Sequence, residues 1–288
     1  MMSGKKTRKG KGLKIAALLA ALALIAGIGW FANELVGNPI SKMLATNRAE
    51  AYLAEHFEGR DFYIERVSYS FKDCNYYAYI ESPSSVDSSF TICISRSGKL
   101  KWDSYEDSVE QKQNTARRLN MEYRELVKAV LDSPTFPFEH HIGYGDLQMV
   151  PGEYIGLEGV PAYTIPTEEL VLDGNYDVNR LGARAGQLVL YVQDEIVTAE
   201  RAGEILVEVK RLLDEAGVSF YAVHFVLQYP REEEGNWPEG RVEALEFLAT
   251  DIYEEGMAER MKAADEAAKA YYASEDAKNA DLLEKLKQ

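Results

Sequence analysis

The densest group of possible metal ligands lies near the middle of the chain. Glu139, His140 and His141 are consecutive, and Asp146 follows shortly after them. A zinc site needs ligands that converge on one point, whereas adjacent residues of a strand point to opposite faces. The H-E-x-x-H pattern of zinc proteases does not occur in the sequence. We interpret these residues as a surface pair of histidines with acidic neighbours, not as a metal site.

A second stretch imitates a calcium-binding loop. Residues 173–179 place side-chain oxygens at alternate positions. However, Val178 stands where the sharp turn of such a loop needs glycine, and Arg184 stands where a bidentate glutamate belongs. The pattern is more typical of a Gly-Asn turn followed by Asp177, which is expected to cap a short helix.

No nucleophile or cofactor site has a recognisable motif. The sequence contains neither G-x-S-x-G nor a catalytic Cys–His signature, and its 47 acidic residues are too numerous to nominate one pair of carboxylates. His56 is expected to interact with the dipole at a helix end, and His224 is expected to be a hydrogen-bonded core histidine in an apolar strand. The sequence therefore predicts no catalytic, cofactor-binding or metal-binding residue.

Tyrosines cluster in the first third of the chain, where they could form a sugar- or peptide-binding face or simply be ordinary strand residues. The four are Tyr69, Tyr76, Tyr77 and Tyr79.

Residues 13–36 (LKIAALLAALALIAGIGWFANELV) form the longest apolar segment and follow a basic tip at 1–12. An apolar helix of roughly 20 residues matches the thickness of a bilayer core. This pattern predicts a single-pass transmembrane helix with a cytoplasmic N-terminus, which would place the body outside the cell membrane. A cleavable signal peptide is the competing interpretation, but the small-x-small sequences lie inside the apolar run.

The net charge of −15 argues against a nucleic-acid partner, because an acidic body repels phosphate backbones. The only two cysteines, Cys74 and Cys93, are too few to define a disulfide scaffold. Alternation along the strand predicts that Cys93 faces away from the core. Whether the two thiols pair depends on a strand register that the sequence leaves open.

An N-terminal α+β domain is predicted at 37–135. Asn38-Pro39 should start a helix that ends near residue 58, and four short strands follow within residues 67–102 as an antiparallel meander. A second helix at 109–131 should complete a helix, meander, helix domain with a cystatin-like layout.

A C-terminal α+β domain is predicted at 136–230, after the helix-breaking sequence SPTFP. Strands at 188–192 and 220–227 flank a helix at 199–216, with Thr198 as its cap, and this order predicts a β-α-β unit with parallel strands. No glycine fingerprint follows the first strand, so we expect no nucleotide cofactor. Residues 231–288 are interpreted as a charged loop, helical structure beginning at 241–247, and a long C-terminal helix at 250–287.

Several phrases of the sequence resemble the YfjL-like proteins of Gram-positive bacteria. They are GNPISKMLA, VSYSFKD, NYYAYIESPSSVDSSFTI, DSYEDSV, EYRELVKAVLDSPTFPFE and GQLVLYVQDEIVTAERAGEILVEVK, and they span residues 37–228. The resemblance implies a membrane-tethered protein with separate N- and C-terminal domains. It implies no catalytic residues.

These observations predict a non-enzymatic binding or accessory module of the cell envelope that recognises a protein, peptide or glycan. The alternative is an envelope hydrolase that uses acidic residues without a recognisable motif.

Overall fold

The computed structural model describes residues 7–232 and 235–286, which form an α+β protein, as predicted. Packing divides the chain into two compact units between Glu110 and Gln111. The predicted domain boundaries at 36/37, 135/136 and 230/231 stay predictions, because compactness alone does not identify the segments that fold independently.

The first unit contains helices α1 (Thr7–Val36) and α2 (Pro39–His56) and one antiparallel sheet. Asn38 caps α2 as predicted, since its side chain accepts a hydrogen bond from the backbone N of Ser41 at 2.8 Å. The four strands of the predicted meander lie in sequence order and are joined by short turns. They are β1 (Tyr63–Ser70), β2 (Asn75–Ser82), β3 (Ser85–Ser95) and β4 (Leu100–Asp103), followed by a single π-helical turn at Glu106–Glu110.

The prediction of a transmembrane helix at 13–36 is wrong, as is the single-pass membrane localisation that depended on it. Within the part of the chain that the structure describes, no helix combines the length and the apolar character needed to cross a bilayer. Half of the predicted basic tip, residues 1–6, lies outside the described residues.

The second unit is built on a four-stranded sheet in the order β10-β9-β8-β5. Strands β8 and β9 are parallel and are connected through α5, so the predicted β-α-β unit is confirmed. The principal elements are α3 (Gln113–Leu131), β5 (His140–Leu147), α4 (Val178–Ala185), β8 (Gly186–Gln193), α5 (Ala199–Glu215), β9 (Ala222–Gln228), β10 (Arg241–Leu248) and α6 (Met257–Leu286). The short strands β6 (Met149–Val150) and β7 (Ile165–Pro166) and 3₁₀ turns at Gly152–Tyr154, Thr167–Glu169 and Ala249–Asp251 complete the unit.

One face of this sheet forms the core. Alternate residues of β8 are buried in this core with Val223, Phe225 and Leu227 of β9 and with residues of α3 and α5, as the strict alternation along β8 requires. Thr198 caps α5 as predicted, accepting a hydrogen bond from the backbone N of Arg201 at 3.2 Å. Fully buried members of this core include Leu119, Tyr123, Val127, Leu188, Leu190, Ile205, Leu206 and Phe225.

Two further structural predictions were wrong. The helix predicted at 109–131 was expected to cover the first sheet, but α3 packs against β5 of the second sheet, so the first unit lacks the cystatin-like layout. Residues 241–247, interpreted as helical, form strand β10, which pairs with β9. The C-terminal helix therefore begins at Met257 rather than at residue 250.

Candidate functional site on the second sheet

The sheet face opposite the core carries several polar side chains among apolar ones. Tyr191 on β8, His224 on β9 and Glu243 on β10 belong to this set. Helix α6 packs along β10, the edge strand, and Asp265 of α6 accepts a hydrogen bond from the backbone N of Glu243 at 3.1 Å. The helix thereby satisfies a backbone donor that an open sheet edge would leave unpaired.

Glu243 is the centre of a buried hydrogen-bonded cluster, since only 3% of the residue is exposed. Its Oε1 accepts hydrogen bonds from Nε2 of His224 at 2.9 Å and from Oη of Tyr272 at 2.7 Å. Its Oε2 lies 2.9 Å from Nη2 of Arg241, whose guanidinium also lies over the ring of Tyr272. A buried carboxylate with this many donors is compensated for its loss of water.

The cluster around Glu243 affects the protonation of the side chains that it contacts. Because an ionised carboxylate can only accept hydrogen bonds, Nε2 of His224 carries the shared proton. Burial, followed by the hydrogen bond to Glu243, raises the pKa of Tyr272 to about 12. Burial and the charge of Glu243 also raise the pKa of Tyr191, whose ring centroid lies 5.5 Å from that of His224. The predicted hydrogen bond of His224 is confirmed, but the prediction that it is a core residue is wrong, because it is partly exposed and lies on the sheet face opposite the core.

A cavity of about 480 Å³ opens beside this cluster. Its size falls in the range of small-molecule and peptide side-chain sites. The lining combines polar groups from the sheet with residues of α6 and of the long loop before β7. The principal lining residues are Gln187, His224, Leu245, Glu246 and Tyr271, together with loop residues 158–162.

Glu246 is placed at the cavity by a β-bulge. The pairing of β10 with β9 shifts register between Ala244 and Phe247, and Glu246 adopts a left-handed backbone with φ of 45°. Bulges redirect side chains, and a non-glycine residue in this region costs on the order of 1–3 kcal/mol. The Glu246 residue is exposed, and its carboxylate accepts no hydrogen bond from the described residues.

Tyr163 lies close to this carboxylate and stacks on Tyr221, with 4.5 Å between the ring centroids. Its Oη is buried and has no hydrogen-bond partner among the described residues. Burial, followed by the charge of Glu246, raises the pKa of Tyr163. The hydroxyl therefore stays protonated and able to donate.

The predicted metal-ligand candidates do not converge. His140 faces α3, where its ring lies 5.4 Å from that of Phe136, whereas the His141 ring lies 4.6 Å from that of Trp237. Asp146 forms an ion pair with Arg124. Among the described residues no group of three or more His, Cys, Asp or Glu side chains could hold a metal ion. Burial, followed by the charge of His140, lowers the pKa of His141.

The calcium-like stretch caps a helix, as predicted. Oδ1 of Asp177 accepts hydrogen bonds from the backbone N of Asn179 and of Arg180, both at 3.1 Å, at the start of α4. At the end of α2, the His56 ring stacks on Tyr52 with 4.3 Å between the ring centroids.

The tyrosines of the meander do not form one face. The rings of Tyr69 and Tyr76 pack 5.1 Å apart, and Oη of the buried Tyr76 donates to the carbonyl of Asn38 at 3.0 Å. Tyr77 and Tyr79 occupy the opposite parity of β2, where Tyr77 donates to Asp73 and the guanidinium of Arg66 lies 4.2 Å from the Tyr79 ring centroid.

Both cysteines are unpaired in the structure. Cys93 lies opposite in parity to Ile92 and Ile94, yet it is fully buried because Tyr77 and Trp102 flank it in register. The prediction that it faces away from the packed side is right in parity, but it is wrong if taken to mean exposure.

Sequence reasoning missed Glu243 and Tyr272 altogether. The segment containing Glu243 is interpreted from sequence as helical, and no sequence pattern singles out Tyr272. Alternation of buried Val242 and Ala244 around Glu243 was the available signal for a strand.

Comparison with known families gives two adjacent matches. A model of the YfjL-like N-terminal domain matches residues 12–104, and a model of the YfjL-like C-terminal domain matches residues 122–262. No curated protein and no solved structure matches the chain.

Proposed function

The chain belongs to the YfjL-like family, and we propose that it is a non-enzymatic binding or accessory module whose ligand site is the cavity beside His224. A site with mixed polar and aromatic walls suits one of three ligand classes, namely a protein segment, a peptide or a glycan.

The observation that carries this proposal is the full use of Glu243 in structural bonds. Its two oxygens accept hydrogen bonds from His224 and Tyr272 and pair with the guanidinium of Arg241, so the carboxylate has no place for a substrate or a catalytic water. A general acid or base must reach the proton that it transfers. In His224 the nitrogen bonded to Glu243 is committed to holding β9 against β10 and α6.

The hydrolase alternative would have to rely on the carboxylates of the cavity rim, Glu158 and Glu246. The Glu158 side chain is 87% exposed, so it is solvated like an ordinary surface carboxylate. Paired hydrolytic carboxylates are normally differentiated by burial of one of them. The site geometry favours recognition.

Blocking the cavity tests the proposal. Leu245→Trp would fill the cavity from β10, and Leu248→Trp, further along the same strand and outside the lining, is the matched control. Peptide and oligosaccharide libraries should be screened on the full chain by backbone chemical-shift changes. We expect a ligand that perturbs the cavity residues and binds Leu245→Trp at least about tenfold more weakly, with Leu248→Trp unchanged.

Two results would overturn the proposal. One is a ligand series that perturbs other surfaces and is unaffected by Leu245→Trp. The other is turnover of an ester, peptide or glycan substrate that disappears in Glu158→Gln or Glu246→Gln, which would establish the hydrolase alternative.

A further inference from the structure

Resting on this proposed function, we propose that the cavity takes a lysine side chain of a peptide, and that Lys278 of α6 occupies one of its carboxylates when no ligand is bound. The chemistry is that of a primary ammonium on an apolar stem.

An ammonium group already lies at the rim of the cavity. Nζ of Lys278 is 3.0 Å from Oε1 of Glu158, which lines the cavity, and 2.8 Å from Oε1 of Glu275 on the same helix. The two acidic partners raise the pKa of Lys278, Glu275 contributing the most. Glu158 thus shows, with a group of the chain itself, the bond that a ligand ammonium would make.

This internal contact is suited to exchange. The Lys278 side chain is 61% exposed, and exposed ion pairs contribute little to stability. If Lys278 leaves Glu158, it keeps its bond to Glu275, so a ligand replaces only one of two interactions. Lys278 therefore competes with a ligand weakly rather than closing the site.

A second carboxylate, that of Glu246, lines the same cavity and forms no ion pair with the described residues. Glu246 is held out of the regular strand by the bulge and accepts no hydrogen bond from the described residues. A strained backbone that presents an unpaired carboxylate to a cavity is explained if that carboxylate meets a charged donor from outside.

Two other residues of the cavity lining suit an aliphatic stem. Tyr271 is 54% exposed and Leu245 is partly buried, and both line the cavity. An ammonium near the Tyr271 ring would also gain a cation–π interaction.

Matched peptides test the ligand class on the full chain. Acetyl-Ala-Lys-Ala-amide should shift the cavity resonances. The norleucine peptide, which keeps the stem and lacks the ammonium, should bind at least about tenfold more weakly, as expected for the loss of charge-assisted hydrogen bonds. Glu246→Gln should weaken binding of the lysine peptide about fivefold.

Variants of α6 test the role of Lys278. Lys278→Met removes the competing ammonium and should tighten binding of the lysine peptide about threefold, whereas Lys262→Met, an exposed lysine away from the cavity lining, should leave it unchanged. Equal affinity of the lysine and norleucine peptides would overturn the inference about the ligand. Equal affinity of Lys278→Met and the native chain would overturn the role given to Lys278.

These failures can be separated from failure of the proposed function. If the norleucine peptide or another ligand binds in the cavity and is blocked by Leu245→Trp, the binding function holds and only the ligand class is wrong. If no ligand perturbs the cavity, both proposals fail.

Discussion

Replacing Glu243 by glutamine keeps the shape of the side chain and removes its charge, so it tests whether this buried carboxylate holds β9, β10 and α6 together. The amide oxygen can still accept hydrogen bonds from Nε2 of His224 and Oη of Tyr272, which lie 2.9 and 2.7 Å from Oε1 of the native Glu243. These bonds become neutral, and each is weaker by about 1 kcal/mol than a bond to a charged group. The Arg241 side chain is 52% exposed, so loss of its pairing adds little. We expect the free energy of unfolding to fall by about 2 kcal/mol.

Urea denaturation followed by circular dichroism measures this free energy. Hydrogen exchange locates the effect, because amides of β10 and α6 should exchange faster while those of β1 to β4 keep their protection. Glu266→Gln changes an exposed carboxylate of the same helix and should alter the free energy of unfolding by less than about 0.5 kcal/mol.

A Glu243→Gln variant within about 0.5 kcal/mol of the native chain would refute this reasoning. It would mean that the cost of burying the charge cancels what its three partners contribute, a balance known for buried ion pairs. Loss of stability with unchanged exchange on α6 would instead refute the view that Glu243 anchors that helix.

Three further changes have defined outcomes. In the folded chain the pKa of Tyr272 is about 12, whereas an unfolded tyrosine ionises near pH 10. The stability that comes from this raised pKa is therefore complete below about pH 10 and is lost as the pH rises through 12. Tyr272→Phe should flatten that part of a measured curve of unfolding free energy against pH. Asp177→Ala removes the cap of α4 and should cost about 1 kcal/mol in thermal unfolding, with Asp177→Asn close to native. Iodoacetamide should modify Cys74 well before Cys93, because Cys93 is fully buried and burial raises the pKa of its thiol; equal rates by mass spectrometry would contradict this.

Sequence patterns correctly predict those helices and strands whose signals lie within a few neighbouring residues. The period-two alternation of the first unit and its short turns predict the meander that the structure contains. In the second unit, the capping residue Thr198 correctly marks the start of α5, and the apolar runs on either side of the helix are β8 and β9.

Sequence patterns within one element do not predict which sheet a helix packs against. The apolar stripe of α3 predicts a buried face but not which sheet it meets. The structure supplies the missing information at β5, where glycines make room for the helix: a Cβ added at Gly145 would lie 2.6 Å from Cγ2 of Val127. An uninterrupted strand with glycines at alternate positions is a signal of close packing on that face, and here it identifies the sheet to which α3 belongs.

The bulge in β10 explains both the failed strand prediction and the absence of a local motif at the candidate site. Core-facing Val242 and Ala244 keep the period of a strand, but the next core contact comes at Phe247, so the segment matches neither a strand nor a helix over its length. The same irregularity turns Glu246 towards the cavity, while Glu243 stays in the regular part of the strand to bind His224 and α6. One departure from regular pairing thus separates a structural carboxylate from a carboxylate that is free to bind. Since that separation depends on β9, α6 and a distant loop, no short stretch of sequence could contain it.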